Sequence, residues 1–375
     1  MQIAPLLGVI VNRASSMDRI GYLNHAPIEF YFRQSPNDFV VDELPLYEFS
    51  GDGEHLVLLV RKKSLTTLEM ISSFAKHCGI KERDIGYAGL KDKHALTKQY
   101  ISLPKKCEEL LEGFSHPNIK ILEKTYHNNK IRIGHLKGNR FFIRLKKVSS
   151  VASKMIDEAL KDIELYGMPN YFGYQRFGIN GDNYKEGELV IKGEKRVANK
   201  KLREFLISAY QSHLFNLWLA KRVEISRVVE AFSIKDASLA LGLSESVVSE
   251  LKVQKQPFKL VEGDLMMHYP HGRLFSFELG EAERFASRDI APTGLIAGKR
   301  ASRSTSSAGE IEASFDEEIN ADGSRRYAWI FPYDISSKYK SEDAHYELSF
   351  SLPKGSYATV LLEQIAQQEI RSSDE

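Results

Sequence analysis

The residues with the clearest chemical potential lie in one short segment, Gly86 to Gln99, which reads GYAGLKDKHALTKQ. Asp92 stands there between two lysines, Lys91 and Lys93, and a histidine follows. An ionised carboxylate can act as a nucleophile or a general base, and neighbouring ammonium groups favour the ionised form. A lysine–aspartate–lysine triplet is equally typical of a solvated surface turn. The residue types alone therefore leave a catalytic and a purely structural interpretation open.

Two apolar segments must hold this turn in place. Residues 85–88 approach it, and Gly89 allows a positive φ or close contact with another backbone. The segment from Thr97 to Leu103 then predicts a strand that ends before Pro104. Catalytic groups are often carried on loops between rigid elements, so this placement favours a functional loop.

The elements upstream of the turn are predicted to be scaffold. The segment from His55 to Arg61 has the pattern of a strand. A helix is predicted to begin after Thr66, because Glu69 three residues later completes a capping box, and to end at Gly79. We expect this strand and helix to deliver the chain to the turn.

A second distinctive window spans residues 130–147, KIRIGHLKGNRFFIRLKK, and holds seven Lys or Arg and no acidic residue. Apolar and basic residues alternate in it, which predicts a strand with one core face and one positive face. Such a face can bind phosphate backbones through counterion release, although it is also typical of a solvated amphipathic strand. The candidates for RNA-backbone contact in this window are Lys130, Arg132, Lys137 and Arg140.

The turn around Asp92 resembles the signature of the TruD family of tRNA pseudouridine synthases, G-x-K-D-[KR]-x-A-x-T-x-Q. The matching residues are Gly89, Lys91, Asp92, Lys93, Ala95, Thr97 and Gln99. The resemblance implies that Asp92 is the catalytic nucleophile and that Lys91 binds substrate beside it.

Three further segments resemble motifs of the same family: PNDFVVDE at 36–43, HLKGNRF at 135–141 and LPKGSYAT at 352–359. The first implies that Phe39 lines the active site and that Arg33, where the family carries Lys, reaches the same site. The second places Asn139 and Phe141 beside the catalytic carboxylate. The third implies that Tyr357, where the family carries Phe, closes over the active site.

The family also implies the fold class and the domain organisation. The segment MPNYFGYQRFG at 168–178 is similar to a family motif that opens an inserted domain, and it contributes Arg176 as another candidate RNA-backbone contact. We expect an α/β (α+β) fold with a mixed, mainly antiparallel sheet flanked by helices, interrupted by a smaller inserted α/β domain. The expected catalytic core comprises 1–168 and 336–375, with the inserted domain at 169–335. The acidic residues of 310–318 are interpreted as a solvated helix face.

The function implied by the resemblance is isomerisation of uridine 13 in the D-arm of tRNA to pseudouridine. The partner is then tRNA, and the reaction requires neither a cofactor nor a metal. Two other classes stay open: a tRNA-binding or tRNA-chaperoning module without chemistry, and an enzyme that cleaves the glycosidic bond without rejoining it.

The composition fits a soluble protein large enough for two domains. The chain has 375 residues, 42% hydrophobic and 27% charged, and a net charge of only +2, so any RNA-binding charge must be concentrated locally. Cys78 and Cys107 form no ligand cluster, which predicts free thiols and no zinc site. The apolar run from Ile3 to Val11 lacks the basic region of a signal peptide, and no segment has the length of a membrane-spanning helix. We expect a cytoplasmic monomer.

Overall fold

The structure is a computed structural model that describes residues 19–178, 180–278 and 280–370. The N-terminal apolar run from Ile3 to Val11, for which no signal-peptide role is predicted, lies outside them. The strands of the described residues are β1 Phe39–Pro45, β2 His55–Lys62, β3 Gly86–Tyr87, β4 Leu96–Pro104, β5 Ile119–His127, β6 Leu136–Leu145, β7 Met168–Pro169, β8 Leu265–His268, β9 Leu274–Ser276, β10 Ile290–Ile296, β11 Ser324–Tyr327, β12 Trp329–Ile330, β13 Tyr333–Lys340 and β14 His345–Pro353.

The helices in the same part of the chain are α1 Thr67–Cys78, α2 Ser150–Tyr166, α3 Asn183–Ile191, α4 Lys200–Ala231, α5 Ile234–Leu241, α6 Glu245–Lys252, α7 Glu281–Ala286, α8 Ser306–Ala313 and α9 Ala358–Ala366. Short 3₁₀ turns connect several of these elements.

The described chain divides into two compact units. The first, called the sheet unit, comprises residues 28–158 and 332–358. The second, called the helical unit, comprises residues 19–27, 159–331 and 359–370. It is the larger unit, because residues on both sides of the predicted inserted domain belong to it. The boundaries predicted from the sequence, at 168/169 and 335/336, remain a prediction.

The sheet unit is built on a mixed, mainly antiparallel sheet, as expected from the sequence. Its strand order is β13-β14-β6-β1-β4-β2-β5, with β3 paired to β4. Only the β1–β4 pair among these strands is parallel. The catalytic segment predicted from the sequence connects β3 to β4, so the sheet holds both of its ends.

Helix α1 packs on this sheet through an apolar row. Leu56, Leu58 and Val60 of β2 form one core cluster with α1 side chains that include Ile71 and Phe74. The predicted capping box is confirmed, since Thr66 and Glu69 exchange hydrogen bonds, and Gly79 ends the helix at φ 62°. The strand and helix therefore form the predicted scaffold.

The prediction of a strand across residues 130–147 is wrong in its first third. Strand β6 begins only at Leu136, and the chain before it turns at Gly134, where φ is 92°. The Gly134 N–H donates to the Ala88 carbonyl at 2.8 Å, which fixes this turn against the approach to the predicted catalytic loop. Lys130 and Arg132 therefore lie in a loop rather than on a strand face.

The helical unit contains its own sheet and the 32-residue helix α4. The sheet order is β11-β10-β8-β9, and α4 runs from Lys200 to Ala231. The prediction that the acidic residues of 310–318 form a solvated helix face is wrong for Glu312. Its carboxylate forms an ion pair with Arg325 at 2.6 Å, and both side chains are buried.

The two cysteines are buried and free, and burial raises the pKa of the Cys78 thiol to about 11. Helix α4 is long, but no helix in the described residues is both long and apolar enough to cross a membrane.

Candidate active site

The candidate site is assembled on one face of the sheet. Residues paired across neighbouring strands point their side chains to the same face. Glu43 on β1 pairs with Asn139 on β6, and Val41 pairs with Phe141. These pairs place both predicted β6 residues on the face that carries Glu43.

Strands β4 and β2 continue the same face. Val41 pairs with Thr97 on β4, and Thr97 pairs in turn with Lys62, the last residue of β2. Gln99 follows on the same face, paired with Val60. Four adjacent strands thus present Asn139, Glu43, Thr97 and Lys62 on one face of the sheet.

Two residues of the signature motif anchor the loop through the start of α1. The Thr67 hydroxyl donates to Gln99 Oε1 at 2.9 Å and accepts from the backbone N–H of Lys91 at 2.9 Å. Thr67 and Gln99 are buried. The glutamine of the signature therefore acts by orienting a hydroxyl that holds the loop.

Lys91 joins the signature loop to the β6 motif. Its ammonium donates to Asn139 Oδ1 at 2.8 Å and forms an ion pair with Glu43 Oε2 at 2.7 Å. The Glu43 side chain is 1% exposed and that of Lys91 is 5% exposed, so this is a buried charge pair. Lys91, predicted as a substrate-binding residue, is in this structure the link between the two motifs.

The Asp92 carboxylate is hydrogen-bonded within its own turn. The residue is half-buried, and its Oδ1 accepts from the backbone N–H of His94 at 2.9 Å. No cation of the described residues lies within ion-pair distance of this carboxylate, whereas Lys93 and His94 beside it are exposed. The group is held in place by its own turn and remains available to a ligand.

Lys62 is a component of the site that the sequence reasoning missed. Its side chain is fully buried, and its ammonium donates to the carbonyls of Leu65 at 2.7 Å, Asp92 at 2.9 Å and Lys91 at 3.4 Å. Burial lowers the pKa of Lys62 to about 8, a shift that the nearby Asp92 charge opposes. The sequence did carry a signal for this lysine. Leu56, Leu58 and Val60 occupy alternate positions of one buried strand face, and the next position of that face, where an apolar residue is expected, is Lys62.

The predicted aromatic residues are brought together. The rings of Phe39 and Phe141 stack with centroids 6.2 Å apart, and Phe141 also stacks on Phe350 at 5.3 Å. Phe39 and Phe141 are only 5% and 6% exposed. They form an apolar floor, and little ring surface is left for a stacked base.

Tyr357 follows the end of β14. Leu352 of that strand pairs with Asn139, so the motif at 352–359 lies beside the start of β6, which carries the motif at 135–141. Tyr357 is half-buried, so part of its ring is accessible.

A cavity of about 340 Å³ opens beside the catalytic turn. Its lining contains three basic side chains and no carboxylate, and comprises Arg33, Gln34, Ser35, Pro36, Ser64, Lys93 and His94. The Ser35 hydroxyl donates to the Asp38 carboxylate, which also forms ion pairs with Arg144 and Lys146. This network fixes the turn that carries one wall of the cavity.

Comparison with known proteins identifies the family. The family model described as tRNA pseudouridine synthase D (TruD) matches residues 20–200 and 195–365. The tRNA pseudouridine synthase D of Sulfurimonas denitrificans is 59% identical over 94% of this chain and 100% of that protein. That of Helicobacter pylori strain P12 is 49% identical over 91% of this chain and 94% of that protein. This chain belongs to the TruD family.

A solved structure supports the same fold. The crystal structure of a Methanosarcina mazei protein described as tRNA pseudouridine synthase D (TruD) aligns with a TM-score of 0.63 and 18% identity. The alignment covers 94% of this chain and 96% of that one. Membership of the TruD family makes this chain an RNA pseudouridine synthase, an isomerase that acts on tRNA.

The predicted RNA-backbone residues of this TruD-family chain have different local surroundings. Arg140 faces the side of the sheet opposite Asn139 and forms an exposed ion pair with Asp334 at 3.1 Å. The Lys130 ammonium donates to the Arg83 carbonyl, and Lys137 lies over the Tyr333 ring.

Arg132 is exposed in the loop before β6. Arg176 belongs to the helical unit, where its guanidinium donates to Ser212 Oγ at 3.2 Å and to Ser208 Oγ. Among the described residues of this TruD-family chain, no group of three or more His, Cys, Asp or Glu is placed to hold a metal ion.

Proposed function

We propose that this chain isomerises uridine 13 in the D-arm of tRNA to pseudouridine and that the Asp92 carboxylate is its catalytic nucleophile or base. The observation that carries this assignment is the link from Lys91 to Asn139 and Glu43. It joins two family motifs in one site and leaves the next residue, Asp92, with an available carboxylate.

The chemistry is an intramolecular rearrangement. The glycosidic bond between C1′ and N1 breaks, the uracil turns, and a bond forms between C1′ and C5. N1 gains a proton, and the hydrogen on C5 leaves to solvent. Attack on C1′, addition to the base and abstraction of a ribose proton all need an ionised carboxylate, and the proposal covers each of them.

The uridine must leave its stack to reach Asp92, at a cost of a few kcal/mol. Phe39 and Phe141 would line the floor beneath the base, and the half-buried Tyr357 would stack on it, contributing about 1–3 kcal/mol. Asn139, whose oxygen faces Lys91, would contact an edge of the base.

The RNA backbone would meet positive charge beside the flipped nucleotide. In the cavity next to the turn, Arg33, Lys93 and His94 would hold a phosphodiester, because guanidinium and ammonium groups donate strongly to phosphate oxygens. The further backbone contacts proposed from the sequence are Lys130, Arg132, Lys137, Arg140 and Arg176. We propose further that the enzyme acts as a monomer and in the cytoplasm.

The test is tritium release from tRNA labelled at C5 of uridine, followed by mapping of the modified position. We expect wild type to release tritium and to form pseudouridine at position 13. We expect Asp92→Asn and Asp92→Ala to bind tRNA without releasing tritium. Asp52→Asn, which changes an exposed aspartate in the β1–β2 connection, serves as the matched control and should keep wild-type activity.

The same experiment separates the alternatives. Release by both Asp92 variants would remove this carboxylate from the chemistry. Binding without release by wild type would favour a non-catalytic tRNA-binding module. Free uracil in place of pseudouridine would identify a glycosidic-bond hydrolase.

A further inference from the structure

Among the described residues, a buried cation lies beneath the catalytic loop without a carboxylate partner. Lys62 ends the apolar row of β2 and is fully buried. Burial of an ammonium is costly unless its donors are satisfied. Within the described residues, no carboxylate lies within ion-pair distance of Lys62, so an ion pair does not explain why a lysine occupies this position.

The three hydrogen bonds of Lys62 explain why a lysine occupies this position. An ammonium has three N–H donors, and here three carbonyl oxygens accept from them. One carbonyl, of Leu65, belongs to the connection between β2 and α1, and the other two belong to Lys91 and Asp92 in the catalytic loop. The side chain thus ties the catalytic loop to the scaffold at the residue that carries the reactive carboxylate.

We propose that the protonated Lys62 ammonium is a positioning residue for the pseudouridine synthase reaction: it holds the backbone of Lys91 and Asp92 so that the Asp92 carboxylate stays directed at the substrate. This inference rests on the proposed role of Asp92. Among the described residues, the hydrogen bonds of the Lys62 ammonium go to backbone carbonyls, and Lys62 acts through Asp92.

The arrangement makes the position of the loop sensitive to pH. Burial and the charge of Lys91 lower the pKa of Lys62, the charges of Asp92 and Glu69 raise it, and the net pKa is about 8. The paired residues on the neighbouring strands, Thr97 and Ile119, carry no titratable group. A neutral amine loses one donor and its charge, so its hold on the two loop carbonyls weakens above this pH.

The contribution of Lys62 to stability should change in the opposite direction, which separates positioning from unfolding. The pKa of Lys62 is lower in the folded chain than its ordinary value of 10.5. Between these two pH values the unfolded chain binds more protons, so this group makes folding more favourable as the pH rises. An alkaline loss of activity caused by Lys62 therefore occurs while the contribution of Lys62 to stability increases.

The experiment measures kcat and KM for tritium release from tRNA between about pH 6.5 and 9.5. We expect kcat of wild type to fall on the alkaline side with an apparent pKa near 8 and KM to stay nearly constant. Lys62→Met should lower kcat about 100-fold at neutral pH and abolish this alkaline limb. Lys62→Arg keeps a permanent charge, so its residual activity should also lack the limb.

Lys63→Met is the matched control, because the neighbouring lysine is exposed and the substitution is the same. It should retain the wild-type kcat and pH profile. An alkaline limb that persists in Lys62→Met or Lys62→Arg would overturn the inference, and so would a flat wild-type profile.

If both variants fail to fold, the wild type still decides: its kcat must fall near pH 8 while its melting temperature does not. Failure of wild type to make pseudouridine at any pH would instead reject the proposed function.

Discussion

Glu43 and Asp42 are neighbours on β1 and hold lysines on opposite faces of the sheet. Glu43 pairs with Lys91 at 2.7 Å, and Asp42 pairs with Lys98 at 2.8 Å. The first pair is almost completely buried, whereas the side chains of Asp42 and Lys98 are 34% and 36% exposed. The two ion pairs have nearly the same length and differ in burial.

We predict that Glu43→Gln destabilises the protein strongly and Asp42→Asn does not. Glutamine keeps the size of Glu43 but leaves the Lys91 charge buried without compensation, which costs about 3–5 kcal/mol. An exposed pair contributes at most about 1 kcal/mol. Urea unfolding of the two variants measures both losses, and equal losses would show that the buried pair has no special energetic role.

The second prediction compares two buried threonines. The Thr67 hydroxyl has two partners, whereas no hydrogen-bond partner for the Thr97 hydroxyl lies among the described residues. Thr67→Val should lower the free energy of unfolding by about 1–3 kcal/mol, because it leaves the Lys91 N–H unsatisfied. Thr97→Val removes a hydroxyl that satisfies nothing and should leave stability unchanged or higher. Chemical denaturation of both variants checks the difference, and a larger loss for Thr97→Val would contradict it.

The sequence could predict the parts of this site that depend on local pattern. The strand-like segment from His55 to Arg61 predicted β2, the capping box at Thr66 predicted α1, and the charged turn around Asp92 between two apolar segments predicted the loop between β3 and β4. These features are encoded within a few residues of one another.

The sequence could not predict contacts made across the fold. Two of the three carbonyls that accept from Lys62 belong to residues about 30 positions away. Every residue has a backbone carbonyl, so the sequence does not indicate which ones the lysine contacts. Glu312 is buried because Arg325 on another element neutralises it. The window from residue 130 alternates as a strand should, but the turn at Gly134 removes its first residues from the sheet.

The third prediction concerns the acid side of the pH range. Burial raises the pKa of Asp38, but hydrogen bonds from Lys146 and Ser35 and the charges of Lys146 and Arg144 outweigh it, so the net pKa is lowered. A carboxylate with a lowered pKa stabilises the fold above its ordinary value of 3.8, and this stabilisation is lost as the pH falls through the folded-state pKa. Asp38→Asn should therefore be less stable than wild type near neutral pH. This difference in stability should disappear as the pH falls through the folded-state pKa of Asp38. A gap that stays constant down to the acid transition would reject this linkage.

The fourth prediction tests the basic cavity as a phosphate site. Removing two cations with Arg33→Gln and Lys93→Gln should raise KM for tRNA while kcat changes little, because phosphate contacts contribute to binding and position of the RNA. The double variant should also reduce the slope of log affinity against log salt by about 2, one for each lost phosphate contact. Lys106→Gln is the control: this exposed lysine lies beyond the far end of β4, roughly 30 Å along the strand from the loop. A salt slope that is unchanged in the double variant, or reduced equally by Lys106→Gln, would show that the cavity does not hold the RNA backbone.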